Sequence, residues 1–394
     1  YYDIKSGSEP FFLAKGQTHV DKFEVRTLDG TTGSVSVTIV GENTRAEFIG
    51  TFTGSVVEDS PANGTADGFL IVSDLEAGQA RLIEQVATVG TYGVFTLAYD
   101  GINYDWTYTL SNRLDAVQAL GSEETVTDVF TALAVDGTGR DIVITIKGAN
   151  DPAAIGGTTT ETVTEDQAPI LTAVGAMTVN DPDTGEAAFV AQAGSEGTAG
   201  LGTFSLGTGG SWTYVADNTQ VAIQSLGAGE TLTDRFTAMT ADGTEQTVTV
   251  TITGVNDAAV IGGVTTGSVT EDAAATLEAS GTLTVSDADA DEAVFVAQTG
   301  AAGSYGTFTL NTDGSWTYAA GNSQTAIQSL GEGDTLTDRF TAVTADGTEQ
   351  TVTVTITGVN DATVIGGVST GSVTEDAAAT LEASGTLTVS DADA

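Results

Sequence analysis

The chain has 394 residues with 54 acids, 11 bases, one histidine and no cysteine, giving a formal net charge of -43. So few bases exclude a surface that neutralises a phosphate backbone, and hence nucleic-acid binding; the absence of cysteine excludes disulfide scaffolds, thiol catalysis and cysteinyl zinc sites. No stretch approaches the roughly 20 apolar residues of a membrane span, while a hydrophobic content of 40% suffices for packed cores, so the charge does not imply disorder.

The chain opens Tyr1-Tyr2-Asp3, with no Met and no signal peptide, and so reads as a piece of something longer. Internal repetition organises the rest. Gly148-Ala149-Asn150-Asp151 recurs as Gly254-Val255-Asn256-Asp257 and Gly358-Val359-Asn360-Asp361, with a faded copy at Gly41-Glu42-Asn43-Thr44. Glu58-Asp59, Glu165-Asp166, Glu271-Asp272 and Glu375-Asp376 keep the same step, as do Trp106, Trp212 and Trp316. These markers divide the chain into a partial repeat at 1–41, full repeats at 42–148, 149–254 and 255–358, and a partial repeat at 359–394. From Gly148 onward there are 33 acids and two bases; residues 1–147 hold 21 acids and nine bases, so the acidity belongs mainly to the more regular repeats.

Within 254–357 the expected elements come in order. Residues 282–286 and 293–297 alternate apolar and polar and read as strands. Asn311-Thr312-Asp313-Gly314 is a hairpin turn, because Asp-Gly tolerates positive φ. Trp316 and Tyr318, two apart on one strand, pack into the core rather than forming a carbohydrate platform. Ala326–Gly331 reads as one helical turn plugging the fold. Arg235 and Arg339 read as partners in weak surface ion pairs. Ala345–Thr348 is a second turn, and residues 351–357 form a final strand rich in Thr and Val. About seven strands per roughly 100 residues indicate an all-β fold, an extended array of tandem immunoglobulin-like sandwiches.

With the strands lettered A to G and followed up and down, the A–B and E–F loops of one repeat face the B–C loop of the next, and the Asn-Asp linker runs between them. The junction at 148–151 collects Glu58, Asp59, Glu123, Asn150, Asp151, Asp181 and Asp183. The one at 254–257 collects Glu165, Asp166, Glu230, Asn256, Asp257, Asp287 and Asp289. The one at 358–361 collects Glu271, Asp272, Glu332, Asp334, Asn360, Asp361, Asp391 and Asp393. Six or more oxygen donors without nitrogen or sulfur suit Ca²⁺, which takes 6–8 oxygens in flexible geometry. The competing reading is a set of solvated loop acids that aid solubility. Asp242 and Asp346 are read as turn formers alone. At the first junction Thr44 replaces the linker Asp, the B–C loop reads Asp74-Leu75-Glu76, and Gln17 stands near the E–F position, so a site there is weaker.

Gly306–Tyr318, Leu336–Thr341 and Thr357–Ala362 resemble VCBS repeats of very long bacterial surface adhesins; the resemblance covers the chain from about 45 onward. The junctions also resemble those of cadherins. There an Asn-Asp linker, a Glu near the A–B loop and an Asp-x-Asp of the next domain bind Ca²⁺; Asn256-Asp257, Glu165 and Asp287/Asp289 match those motifs. The resemblance implies export by a type I secretion system and a location outside the cell.

The expected function is a Ca²⁺-stiffened structural extender of a surface adhesin or extracellular filament, serving adhesion and biofilm formation. Its partners would be calcium ions, neighbouring copies of itself, or host and matrix surfaces reached through other parts. One alternative is a glycan- or protein-binding module on loops such as Ala297–Gly306. Another is a subunit whose split repeats complete each other head to tail. Catalysis is not expected. The only histidine, His19, has no counterpart in other repeats, and no Gly-x-Ser-x-Gly elbow is present.

Overall fold

A computed structural model describes residues 13–376 and 379–393; the first twelve residues of the 1–41 segment lie outside it. The chain is all-β, and the same sandwich is built three times. In the third copy a five-stranded sheet runs in the order Val260–Gly263, Thr276–Ser286, Ser315–Gly321, Gly306–Leu310, Gln298–Ala302. A three-stranded sheet of Thr266–Thr270, Glu349–Thr357 and Thr335–Val343 faces it. Period-two patterning explains the pairing. Val352, Val354 and Ile356 are buried along Glu349–Thr357, with threonines between them on the other face.

Two features depart from the expected seven strands. The first strand is split. Val260–Gly263 pairs antiparallel with Thr276–Ser286, whereas Thr266–Thr270 changes sheets and pairs in parallel with Glu349–Thr357. The Trp316 indole N–H donates to the Val264 carbonyl (2.8 Å) inside that break, and Trp106 and Trp212 do the same to Thr51 and Thr158. The second departure corrects the expected strand at 293–297. That stretch makes a single bridge, Phe295 to Thr344, and Val296 N–H donates to the Val343 carbonyl. The chain then crosses to the other sheet and is a strand only over Gln298–Ala302, where a bulge adjusts its pairing. Ala297–Gly306 is therefore not a loop throughout: it holds the strand Gln298–Ala302, with exposed residues along it.

Each sandwich has its own core. Trp316 and Tyr318 are each 1% exposed, which removes them as a surface platform. The helical turn Thr325–Gln328 inserts Ile327, which is fully buried, and stands close to the expected plug. Arg235 and Arg339 have no carboxylate within ion-pair distance among the described residues, so the expected pairs do not form. At the two ends, Thr18–Arg26 pairs with Thr32–Val40 and Val364–Gly367 with Leu387–Ser390. Among the described residues no helix is long and apolar enough to cross a membrane.

Candidate metal centres at the junctions

The parallel pairing of Thr160–Thr164 with Glu245–Thr253 sets Thr164 beside Thr253 and carries Glu165 to the start of the linker. Glu165 N–H donates to the Thr253 carbonyl (3.1 Å), and its Oε1 accepts from Val255 N–H (2.8 Å). Gly254 is required here: a Cβ on it would stand 2.4 Å from the carbonyl oxygens of Leu226 and Gly227. That close approach lets Gly254 N–H donate to the Glu230 carbonyl (2.9 Å), zipping the E–F loop to the linker.

The next repeat meets this linker through its B–C loop. Asp257 N–H donates to Asp289 Oδ2 (2.9 Å), and Asp289 N–H donates to Asp287 Oδ1 (3.0 Å). Asn256 donates its side-chain amide to the Asp257 carbonyl (2.8 Å). Ala290 N–H donates to the Ser225 carbonyl across the junction (3.2 Å). Asp166 adopts a left-handed φ of 60°, which Asp tolerates. Its Oδ1 accepts from Asn218 and Gln224 (both 2.9 Å), and these bonds hold its carboxyl below the usual range.

The junction at 148–151 repeats the plan. Glu58 accepts from Gln118 (2.8 Å) and Ala149 N–H (3.3 Å), and Asp59 accepts from Asn112 and Gln118. Asp151 N–H donates to Asp183 Oδ2 (2.9 Å) and Asp183 N–H to Asp181 Oδ1 (2.9 Å). Asn150 donates to the Asp151 carbonyl (3.1 Å). At 358–361, Glu271 accepts from Val359 N–H (2.7 Å), Asp361 N–H donates to Asp393 Oδ2 (2.9 Å), Asp393 N–H donates to Asp391 Oδ1 (3.2 Å), and Asn360 donates to the Asp361 carbonyl (2.7 Å). Asp272 is tied to Asn322 and Gln328.

These hydrogen bonds use only part of each carboxylate. Buried oxygens without a hydrogen-bond partner among the described residues are Oε2 of Glu165, Oδ2 of Asp287, Oδ1 of Asp289 and Oε2 of Glu292 at one junction. At the preceding one they are Oδ2 of Asp151, Oδ2 of Asp181, Oδ1 of Asp183 and Oε2 of Glu186. Oε2 of Glu271 and Oδ1 of Asp393 repeat this at 358–361. A buried unpaired carboxylate oxygen is costly, and the titration of the groups reflects it. Burial, then the charges of Asp151, Asp59 and Asp183, push Glu58 up to about 7. Burial followed by neighbouring carboxylates also raises Asp151, Glu165, Asp181, Asp257, Glu271 and Asp361. An oxygen-only set with unmet negative charge fits a hard cation such as Ca²⁺.

Other residues depart from the sequence reading. Glu186 and Glu292 belong with the carboxylates, and one oxygen from each of Asp181, Asp183 and Glu186 lies within 4.8 Å of the others. The recurring Asp-x-Asp-x-x-Glu spacing was the available signal. Glu292 spans the junction, since a Cβ on Gly227 would stand 3.1 Å from its Oε1. In the E–F loop, Glu124, Glu230 and Asp334 share one register, each accepting through its backbone carbonyl from the linker glycine N–H. Glu123 and Glu332 are exposed and out of that register. The side chains of Glu230 and Asp334 accept weakly from Gly227 and Gly331 in their own loops (3.3 Å each). Asp242 and Asp346 do more than form turns: each also accepts from a linker N–H, of Ala153 (3.0 Å) and Ala259 (3.1 Å). At the first junction Glu76 Oε1 accepts from Thr44 N–H and its hydroxyl (2.9 and 2.7 Å), while Asn43 donates to Asp136 (3.1 Å). Oδ2 of Asp74 and Oε2 of Glu76 remain without partners there among the described residues. Gln17 keeps the E–F register, its carbonyl accepting from Gly41 N–H (2.8 Å), while its side chain accepts from Ala14 N–H (3.3 Å).

The chain aligns with solved cadherin ectodomains at low identity. Protocadherin gamma B2 extracellular cadherin domains 3–6 align at 14% identity and a TM-score of 0.36, over 86% of this chain and 83% of that one. Drosophila N-cadherin EC1–4 aligns at 12% and 0.32, over 87% and 84%. The human desmocollin-1 ectodomain aligns at 12% and 0.24, over 86% and 85%. No curated protein matches the chain. The profile of the bacterial cadherin-like domain matches twice in tandem, at residues 150–254 and 256–358. With more than half of its length matched in that way, the chain belongs to the bacterial cadherin-like domain family.

Proposed function

We propose that the chain is a structural extender whose junctions are stiffened by Ca²⁺. Tandem cadherin-like sandwiches fit an extracellular role of adhesion type, and the fold is a structural rather than an enzymatic module. The observation that carries the calcium reading is the recurrence of buried, unpartnered carboxylate oxygens at successive junctions.

Glu58, Asp59, Asn150, Asp151, Asp181 and Asp183 would hold the ion at the first full junction, with Glu186 beside them. Glu165, Asp166, Asn256, Asp257, Asp287 and Asp289, with Glu292, serve the second. Glu271, Asp272, Asn360, Asp361, Asp391 and Asp393 serve the third. Glu230 and Asp334 stand at the margin of their sets, and Glu332 lies farther out. Bound Ca²⁺ supplies the counter-charge these carboxylates lack. The chain's own bonds already set the register: Glu165 tethers the linker from one side and Asp289 from the other. Without counter-charge, repulsion among the carboxylates opposes that register. The VCBS resemblance extends the reading to a type I-secreted bacterial surface adhesin or filament that serves adhesion and biofilm formation.

Thermal unfolding and small-angle scattering in calcium and in EDTA test this. Binding only to the native state adds about 4 kcal/mol at a thousandfold excess over Kd, so calcium raises the melting temperature and narrows the spread of interdomain angles. Unchanged melting and scattering would overturn the reading.

A further inference from the structure

A recess beside Leu82 in the 42–148 repeat follows from two changes there. The position held by Phe189 and Phe295 in the later repeats is Leu82. In those repeats a short hairpin turn folds onto the phenylalanine, whose N–H donates to Thr208 or Thr312 (3.0 and 3.2 Å). In the 42–148 repeat the hairpin of Gly93–Tyr99 and Tyr104–Leu110 runs two residue pairs farther, past Leu97–Trp106 to Tyr99–Tyr104. A smaller side chain under a longer hairpin leaves a recess of about 480 Å³, within the range of small-ligand sites. Arg81, Leu82, Ile83, Glu84, Tyr99 and Tyr104 line it.

The walls are fixed in place. Tyr99 N–H donates to Glu84 Oε1 (3.0 Å), and its hydroxyl donates to the Gly101 carbonyl (2.9 Å). Asp100 accepts from the N–H groups of Ile102 and Asn103 (2.6 and 2.7 Å), holding the turn. The Tyr99 and Tyr104 rings stand 5.0 Å apart at 45°, and Tyr99 is 51% exposed. The geometry points to a binding site for a neutral saccharide. Sugar rings present apolar C–H faces to aromatic walls, and their hydroxyls both donate and accept. Arg81 offers donors only and the Glu84 carboxylate offers acceptors only, so the pair matches hydroxyl chemistry. Arg81 has no ion-pair partner among the described residues. The chain's charge of -43 disfavours an anionic ligand at long range, and the charged lining disfavours a purely apolar one. This inference stands independently of the calcium sites.

The test is a glycan array carrying neutral and acidic oligosaccharides, probed with the full 394-residue chain and with Tyr99→Ala and Arg81→Gln. The expected result is retention of neutral glycans, weakened at least tenfold by each variant while the melting profile is kept. Arg81 is exposed, so its replacement reports even if the Tyr99 variant unfolds the hairpin. Retention of acidic glycans only, no retention, or retention unchanged in Arg81→Gln would overturn the proposal.

Discussion

The Tyr318 hydroxyl donates to Oδ2 of Asp338, twenty residues away and 2% exposed, across 3.3 Å. The same Asp338 accepts from three consecutive N–H groups, of Ser304, Tyr305 and Gly306 (2.7, 2.9 and 2.9 Å). Asp234 and Asp128 repeat the arrangement with Tyr214 and Tyr108. One buried carboxylate per sandwich thus pins a loop of one sheet to a strand of the other. Asp338→Asn puts an N–H₂ group among donors, so it should destabilise its repeat by about 2–4 kcal/mol. Hydrogen exchange at Ser304–Gly306 should quicken in step, and Tyr318→Phe should cost about 1 kcal/mol.

Ala87 sits at φ 52°, in the bulge that Gly194 and Gly300 occupy in the later repeats at 65° and 62°. An L-residue is strained there. Ala87→Gly should raise stability by about 0.5–1 kcal/mol and Gly194→Ala should lower it similarly. Space is not the issue, since a Cβ on Gly194 meets nothing within 4 Å. Denaturant midpoints of the two variants check this.

Asp287→Asn combined with Asp289→Asn removes carboxylates from the 254–257 junction alone. Calcium affinity there should fall at least tenfold, while 358–361 keeps its own set. Exchange protection at Val255 against that at Val359 separates the two junctions. Equal loss at both would contradict the assignment.

The pH response should change sign with calcium. In EDTA, Glu58 holds its proton more tightly folded (about 7) than at its ordinary 4.5. Its contribution is therefore complete below pH 4.5 and lost as pH rises through about 7, so the melting temperature should rise on going from pH 7 to 5. Asp136, held at about 2 against an ordinary 3.8, titrates below that window. In calcium the same protons compete with the ion, and the melting temperature should fall. Scans at both pH values, with and without EDTA, measure the two slopes.

Much of this was legible because the repeat printed each feature several times. The burial of Trp316 follows from its recurrence at one strand position, two residues from Tyr318, and the grouping of Glu165, Asp257 and Asp289 from strand order. The strand expected at 293–297 does not form because alternation records which side chains are buried, not which sheet buries them; Phe295 is buried at a crossing. The role of Asp338 carries no local sequence signal, because its donors are backbone groups 32–34 residues away. The Asp-x-Asp-x-x-Glu spacing marks Glu292 in the sequence, but its place across the junction depends on Gly227, in the preceding repeat.

The parallel pairing of Thr266–Thr270 with Glu349–Thr357 has a mechanical meaning. Tension enters each sandwich near its first strand and leaves through its last. Because those two strands run the same way side by side, a pull along the array loads their ladder in shear. Its hydrogen bonds must then yield together rather than unzip singly, so each repeat resists stretching as a clamp.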